Sequence, residues 1–179
     1  MLVIRELCGE RAPDVEADDL SLPYDRRRHS RQRACLEGGE PVALMLPRGT
    51  VLRGGDVLRC EGGRLVRVRA APESVSRVVS ADLLLLTRAA YHLGNRHVPT
   101  QIEAGSLAYP HDHVLDDMVR GLGLDVVVVT APFEPEPGAY GHGSHSHEEH
   151  SHEEHSHEEH SHAEPSHEHD HPSDGAVGV

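Results

Sequence analysis

Along the first 140 residues the hydrophobic positions change period near residue 72. Up to that point short apolar runs stand between glycines and prolines. Val42-Ala43-Leu44-Met45-Leu46 lies between Pro41 and Pro47. Val57 to Cys60 and Leu65 to Arg69 flank Gly62-Gly63, a pair suited to the positive φ of a two-residue hairpin turn. In the second arm Val66 and Val68 alternate with Arg67 and Arg69, which predicts one buried face and one wet face. Residues 1–72 therefore read as a small N-terminal β domain.

Beyond Pro72 helical spacing appears. Ser74 to Val79 predicts a strand, and Ser80 is the expected N-cap of a helix running to about Leu93. Leu86, Ala89, Ala90 and Leu93 share one face of that helix, and Gly94 is its expected stop. Val98 to Glu103 and Leu107 to Tyr109 predict two short strands around Ala104-Gly105. Asp112 is placed to cap a second helix, in which Leu115, Met118, Val119 and Leu122 recur at helical spacing. Leu124 to Thr130, with four consecutive valines, predicts a buried strand. The order βαββαβ over 73–141 is that of a ferredoxin-like domain, so the expected class is α+β. From His142 to Val179 there is almost nothing to bury. His145 to Glu159 repeats His-Ser-His-Glu-Glu, and five is neither a helical nor a strand period. Residues 142–179 are thus expected to form a disordered His-rich tail.

Charge sharpens this division. The formal net charge of −13 is concentrated in the last 38 residues, which hold ten acids and no Arg. The preceding part keeps 20 acids against 17 bases, close to neutral, which argues against nucleic acid as the partner. The run Arg26-Arg27-Arg28-His29-Ser30-Arg31-Gln32-Arg33 reads instead as a basic strand edge or a face for an acidic protein. Cys8, Cys35 and Cys60 are odd in number and form no CxxC, which points away from a zinc ribbon or a disulfide framework and towards a reducing compartment. No apolar stretch approaches the roughly 20 residues of a membrane span, and the N-terminus is charged by Arg5, so no membrane partner and a cytoplasmic location are expected.

Two histidine constellations carry the candidate chemistry. Twelve of the 17 histidines lie in the tail: His142, His145, His147, His150, His152, His155, His157, His160, His162, His167, His169 and His171. Neutral imidazole, with a reference pKa of about 6.5, suits nickel, zinc and copper near pH 7. A ligand every two or three residues lets a flexible segment wrap several ions, with the interleaved carboxylates attracting cations. The second constellation comprises His97, just past the first helix, and His111 and His113, which straddle the start of the second. His92, in the last turn of the first helix, reads as a capping or packing residue. No GxSxG, HExxH or Walker motif is present, and the chain contains no Lys.

Several blocks resemble a known family. Tyr91-His92-Leu93-Gly94-Asn95-Arg96-His97-Val98-Pro99-Thr100-Gln101-Ile102 is similar to the signature of the urease accessory protein UreE family. So are His111-Asp112-His113-Val114-Leu115-Asp116-Asp117-Met118 and Ala131-Pro132-Phe133-Glu134-Pro135-Glu136-Pro137-Gly138-Ala139-Tyr140. Upstream, Leu46-Pro47-Arg48-Gly49-Thr50-Val51-Leu52 and Gly55-Asp56-Val57-Leu58 match the family's N-terminal domain. The colinear blocks span roughly 25–140, and residues 1–24 match nothing placed.

The resemblance implies a homodimer with a peptide-binding-like N-terminal domain. The family's central metal-binding histidine falls on His97, one from each subunit at the interface, and its peripheral ligands fall on His111 and His113. It further implies a nickel metallochaperone that hands Ni2+ to the urease accessory GTPase and the apo-urease complex. Zn2+ and Cu2+ are expected to bind as well on the usual affinity order. Two other readings compete with a carrier. One is a general nickel or zinc buffer. The other is a metallohydrolase using His111, His113 and a carboxylate such as Glu134. The resemblance favours the carrier, not an enzyme.

Overall fold

The computed structural model describes residues 1–8 and 16–138. The first half of the chain forms strands β1 (Leu2–Leu7) and β2 (Asp18–Leu22), a single-turn helix α1 (Tyr24–Arg27), and strands β3 (Arg31–Cys35), β4 (Pro41–Met45), β5 (Val57–Cys60) and β6 (Leu65–Ala70). The second half forms β7 (Pro72–Val79), helix α2 (Leu83–Gly94), β8 (Gln101–Glu103), β9 (Ser106–Pro110), helix α3 (His113–Gly121) and β10 (Val127–Pro132). The expected disordered tail, 142–179, lies outside the described residues.

Alternation builds the first sheet. Val66 and Val68 are fully buried while Arg69 faces solvent, as a period of two requires. The six strands lie in the order β2-β6-β5-β1-β4-β3. Ile4, Leu20, Val42, Leu44, Leu58, Val66 and Val68 supply one shared core. The β5–β6 connection differs from expectation. The Cys60 N–H donates to the Arg64 carbonyl at 2.9 Å, so Glu61, Gly62 and Gly63 make a three-residue loop, with Gly62 and Gly63 both at positive φ. The basic run also divides. Arg27 ends α1 and is completely buried, whereas Arg28, Arg31 and Arg33 are exposed.

The second sheet has the order β10-β7-β9-β8, which is 4-1-3-2 in the sequence of its own strands, with every pair antiparallel. Together with α2 and α3 this is the ferredoxin-like arrangement, and the protein is α+β. Val78, Leu107 and Tyr109 from the sheet pack with Leu86, Ala89 and Leu93 of α2 and Val119 of α3. Asp82, not Ser80, caps α2, its carboxylate accepting from the N–H groups of Leu84 (2.9 Å) and Leu85 (3.1 Å). Ser80 stands two residues ahead of the cap, its Oγ accepting from the Asp82 N–H at 3.0 Å and its own N–H pairing with the Gly105 carbonyl at the end of the sheet. The valine run is not a buried strand. β10 starts at Val127 and lies on the sheet edge, leaving Val127 60% and Val128 45% exposed.

The two sheets meet around a buried cation. Phe133, Val75 and Ala108 form a small cluster with Tyr24, whose ring stands edge-on to Phe133 at 5.6 Å. Beside it Arg27 donates to the carbonyls of Leu22 (3.1 Å), Leu52 (3.3 Å) and Phe133, and its Nη1 lies 2.9 Å from Glu134 Oε1. Glu134 Oε1 also accepts from the Gly54 N–H at 2.7 Å, and Oε2 lies 3.5 Å from Arg53 Nη1. A Cβ on residue 54 would stand 2.7 Å from that same Oε1, so the approach needs glycine. A fully buried guanidinium is tolerated only with such a set of acceptors.

Removing the carboxylate therefore leaves Arg27 buried without its counter-ion. Glu134→Ala is expected to lower the unfolding free energy by about 2–3 kcal/mol, somewhat under the usual figure for a buried pair because Glu134 stays partly exposed. Exposed Glu136→Ala is expected to change it by less than about 0.5 kcal/mol. Urea unfolding measures both, and a Glu134→Ala loss no larger than that of Glu136→Ala would contradict the clasp.

Candidate metal-binding residues

His97 owes its position to the way α2 ends. The helix runs through Gly94, the expected stop, with Asn95 as its cap residue. The Val98 N–H then donates to the Leu93 carbonyl at 3.1 Å, and the His97 N–H to the Gly94 carbonyl at 2.9 Å. This pair of bonds is a Schellman motif in which His97 takes the left-handed position, at φ 56°. Among the described residues it is the one non-glycine at positive φ. Leu93 and Val98, which bracket the motif, both pack into the core under the helices, so the turn is held from below. The His97 side chain is exposed and makes no hydrogen bond or ion pair among the described residues.

His111 and His113 sit at the joint between β9 and α3. The His111 N–H donates to the Ser74 carbonyl at 3.2 Å, extending the β7–β9 ladder by one residue. Asp112 is occupied as the N-cap of α3, accepting from the N–H groups of Val114 (2.8 Å) and Leu115 (3.2 Å). It is therefore spent on the helix, with His111 before the cap and His113 directly after it. His113 is the first helical residue and is exposed, with no side-chain partner among the described residues.

The His111 ring is anchored. Its Nδ1 lies 3.1 Å from Ser76 Oγ and 3.3 Å from Asp116 Oδ2. Asp116 is buried on the sheet-facing side of α3, and its Oδ1 accepts from the Tyr109 hydroxyl at 3.0 Å. Burial pushes the Tyr109 phenol above its ordinary value, and the hydrogen bond to Asp116 pushes it further, so the hydroxyl stays a neutral donor. This group was missed from the sequence. The signal was there, since Asp116 precedes buried Val119 by three positions and so shares its face.

His92 packs edge-on against Tyr91 at 5.3 Å, half-buried, as a packing residue would. Cys8, Cys35 and Cys60 are unpaired, and burial pushes the Cys60 thiol up. Glu134, the carboxylate of the hydrolytic reading, is locked between Arg27, Arg53 and Gly54. Among the described residues no three His, Cys, Asp or Glu side chains converge to hold a metal ion. The twelve tail histidines expected as ligands lie outside the described residues. No helix among the described residues is long and apolar enough to cross a membrane.

These features define a two-sheet α+β protein with histidines presented at its surface from rigid turns. Residues 4–71 match the family model for the UreE urease accessory protein, N-terminal domain, and residues 73–172 that for its C-terminal domain. The urease accessory protein UreE of Alkalilimnicola ehrlichii is 58% identical over 134 residues, covering 74% of this chain and 82% of the relative. That of Pseudomonas putida is 55% identical over 141 residues, covering 78% and 84%. That of Proteus mirabilis is 58% identical over 122 residues, covering 68% and 76%. The chain belongs to the UreE urease accessory protein family.

The left-handed turn has a measurable consequence. His97→Gly is expected to raise the unfolding free energy by up to about 1 kcal/mol, since glycine alone takes this φ without steric cost. His97→Ala is expected to give no such gain. Thermal melts of the two variants check this, and an alanine variant as stable as the glycine variant would contradict the assigned turn.

Proposed function

We propose that this protein is a nickel-binding metallochaperone that donates Ni2+ to the urease assembly complex during urease maturation. The observation that supports it best is His97, an imidazole kept at a left-handed turn that favours glycine and left without a partner among the described residues. A costly backbone position under an exposed ligand is a mark of function rather than of packing. In this reading the division at residue 72 separates a peptide-binding-like domain from the metal domain of 73–141. Two copies of the chain each contribute His97 to one shared ion, and His111 and His113 take further ions at the periphery.

The tail histidines form a weaker and more numerous reservoir. Imidazole does not select nickel over copper or zinc by affinity, so Zn2+ and Cu2+ bind too, and selectivity comes from supply and from the partners. Those partners are the urease accessory GTPase and the apo-urease complex. Exposed, incomplete coordination suits release, whereas a catalytic metal needs dry ligands with one position open for water and each ligand supported from behind. A buffer without handover would rely on the tail and have no use for His97.

Urease activation in cells separates carrier from buffer. In urease-producing cells lacking this protein and grown with limiting nickel, the full chain is expected to restore urease activity. His97→Ala, with its tail intact, is expected to restore at most about a tenth of it. Equal restoration by the two would overturn handover from the folded part and leave buffering by the tail.

A further inference from the structure

Of His97, His111 and His113 only His111 has an anchored ring among the described residues, and what anchors it is the buried carboxylate of Asp116. Asp116 is 2% exposed. Its neighbours are donors or cations: the Tyr109 hydroxyl at 3.0 Å on Oδ1, His111 Nδ1 at 3.3 Å on Oδ2, and Arg120 Nη2 at 3.8 Å on Oδ2. Ser76 completes the set, its Oγ 3.1 Å from His111 Nδ1 and its hydroxyl bonded to the Tyr109 oxygen. An ionised carboxylate only accepts, so the ring nitrogen facing it carries the proton. A neutral imidazole has a single N–H. With that proton on Nδ1, the free lone pair is on Nε2.

We propose that Asp116 is a positioning residue that holds His111 in the Nδ1–H tautomer, so that Nε2 is the atom offered to a metal ion. The inference rests on the reading of His111 as a metal-binding residue. A hydrogen bond from the distal nitrogen to a carboxylate fixes the ring plane and makes the ligating nitrogen more basic. His97 and His113 lack this support among the described residues. His111 is thus the pre-oriented donor of the group, and the other two must be ordered when the ion arrives. The charge is cheap to keep there because Tyr109 and Arg120 already satisfy the carboxylate on its other sides.

The tautomer is read directly on the full-length, metal-free, 15N-labelled protein by long-range 1H–15N correlation of the imidazole rings, with His111 assigned by its loss in His111→Gln. A protonated Nδ1 and a bare Nε2 are expected. In Asp116→Asn the amide oxygen accepts from Tyr109 and the NH2 group faces Nδ1, so the ring is expected to turn to the Nε2–H form. Titration with nickel should then need about 10–100-fold more metal to broaden the His111 signals than in the parent, and exposed Asp117→Asn should need no more. An Nε2–H ring in the parent overturns the proposal even if Asp116→Asn fails to fold. Equal nickel response of parent and Asp116→Asn overturns the role of Asp116 and leaves His111 a ligand. His111 signals that ignore nickel in the parent remove the metal reading of His111 itself, and the proposal with it.

Discussion

Everything in this structure that must stay in register hangs on one buried guanidinium. Arg27 is fully enclosed, and its acceptors come from three distant parts of the chain: Leu22 beside α1, Leu52 in the loop before β5, and Phe133–Glu134 after β10. A buried charge with one acceptor missing is far costlier than an exposed hydrogen bond left to water, so these segments close together or not at all. The Glu134 N–H also donates to Gln101 Oε1 at 2.8 Å, and the Glu136 N–H to the Thr100 carbonyl at 2.9 Å. The stretch that receives the cation is thus tied to the strand that follows the His97 turn. The constraint reaches from the six-stranded sheet to the strand beside the His97 turn.

That rigidity explains how exposed histidines are placed at all. A surface imidazole on a loose loop would lose much of its binding free energy in being ordered. Here His97 is fixed by the Schellman bonds and by Leu93 and Val98 beneath them, and His111 by the β7–β9 ladder and Asp116. The backbone at these histidines is set in advance, while among the described residues no three His, Cys, Asp or Glu side chains converge.

Much of this was legible in the sequence because period and caps are local. The Val66–Val68 alternation, the face of α2 and the Asp112 cap follow from the order of residues alone. Apart from the length of the β5–β6 turn, the failures were tertiary. The chain stays with the sheet through Ser80, so α2 starts two residues later with Asp82 as its cap. Of the four valines read as one buried strand, Val127 and Val128 came out exposed at a sheet edge, since hydrophobicity does not tell a covered strand from one awaiting cover. Arg27 sat in a run that looked like surface, and its partner lies 107 positions away. The left-handed turn at His97 and the carboxylate behind His111 were not legible in the sequence.

The central claim is that the folded part binds nickel with His97 from two chains sharing one ion. Nickel titration of the full-length protein by calorimetry, with the chain count taken from light scattering, tests it most directly. The account predicts a tightest class of sites at one nickel per two chains, absent in His97→Ala while the weaker tail sites remain. A tightest class at one nickel per chain, or one unchanged by His97→Ala, would contradict it.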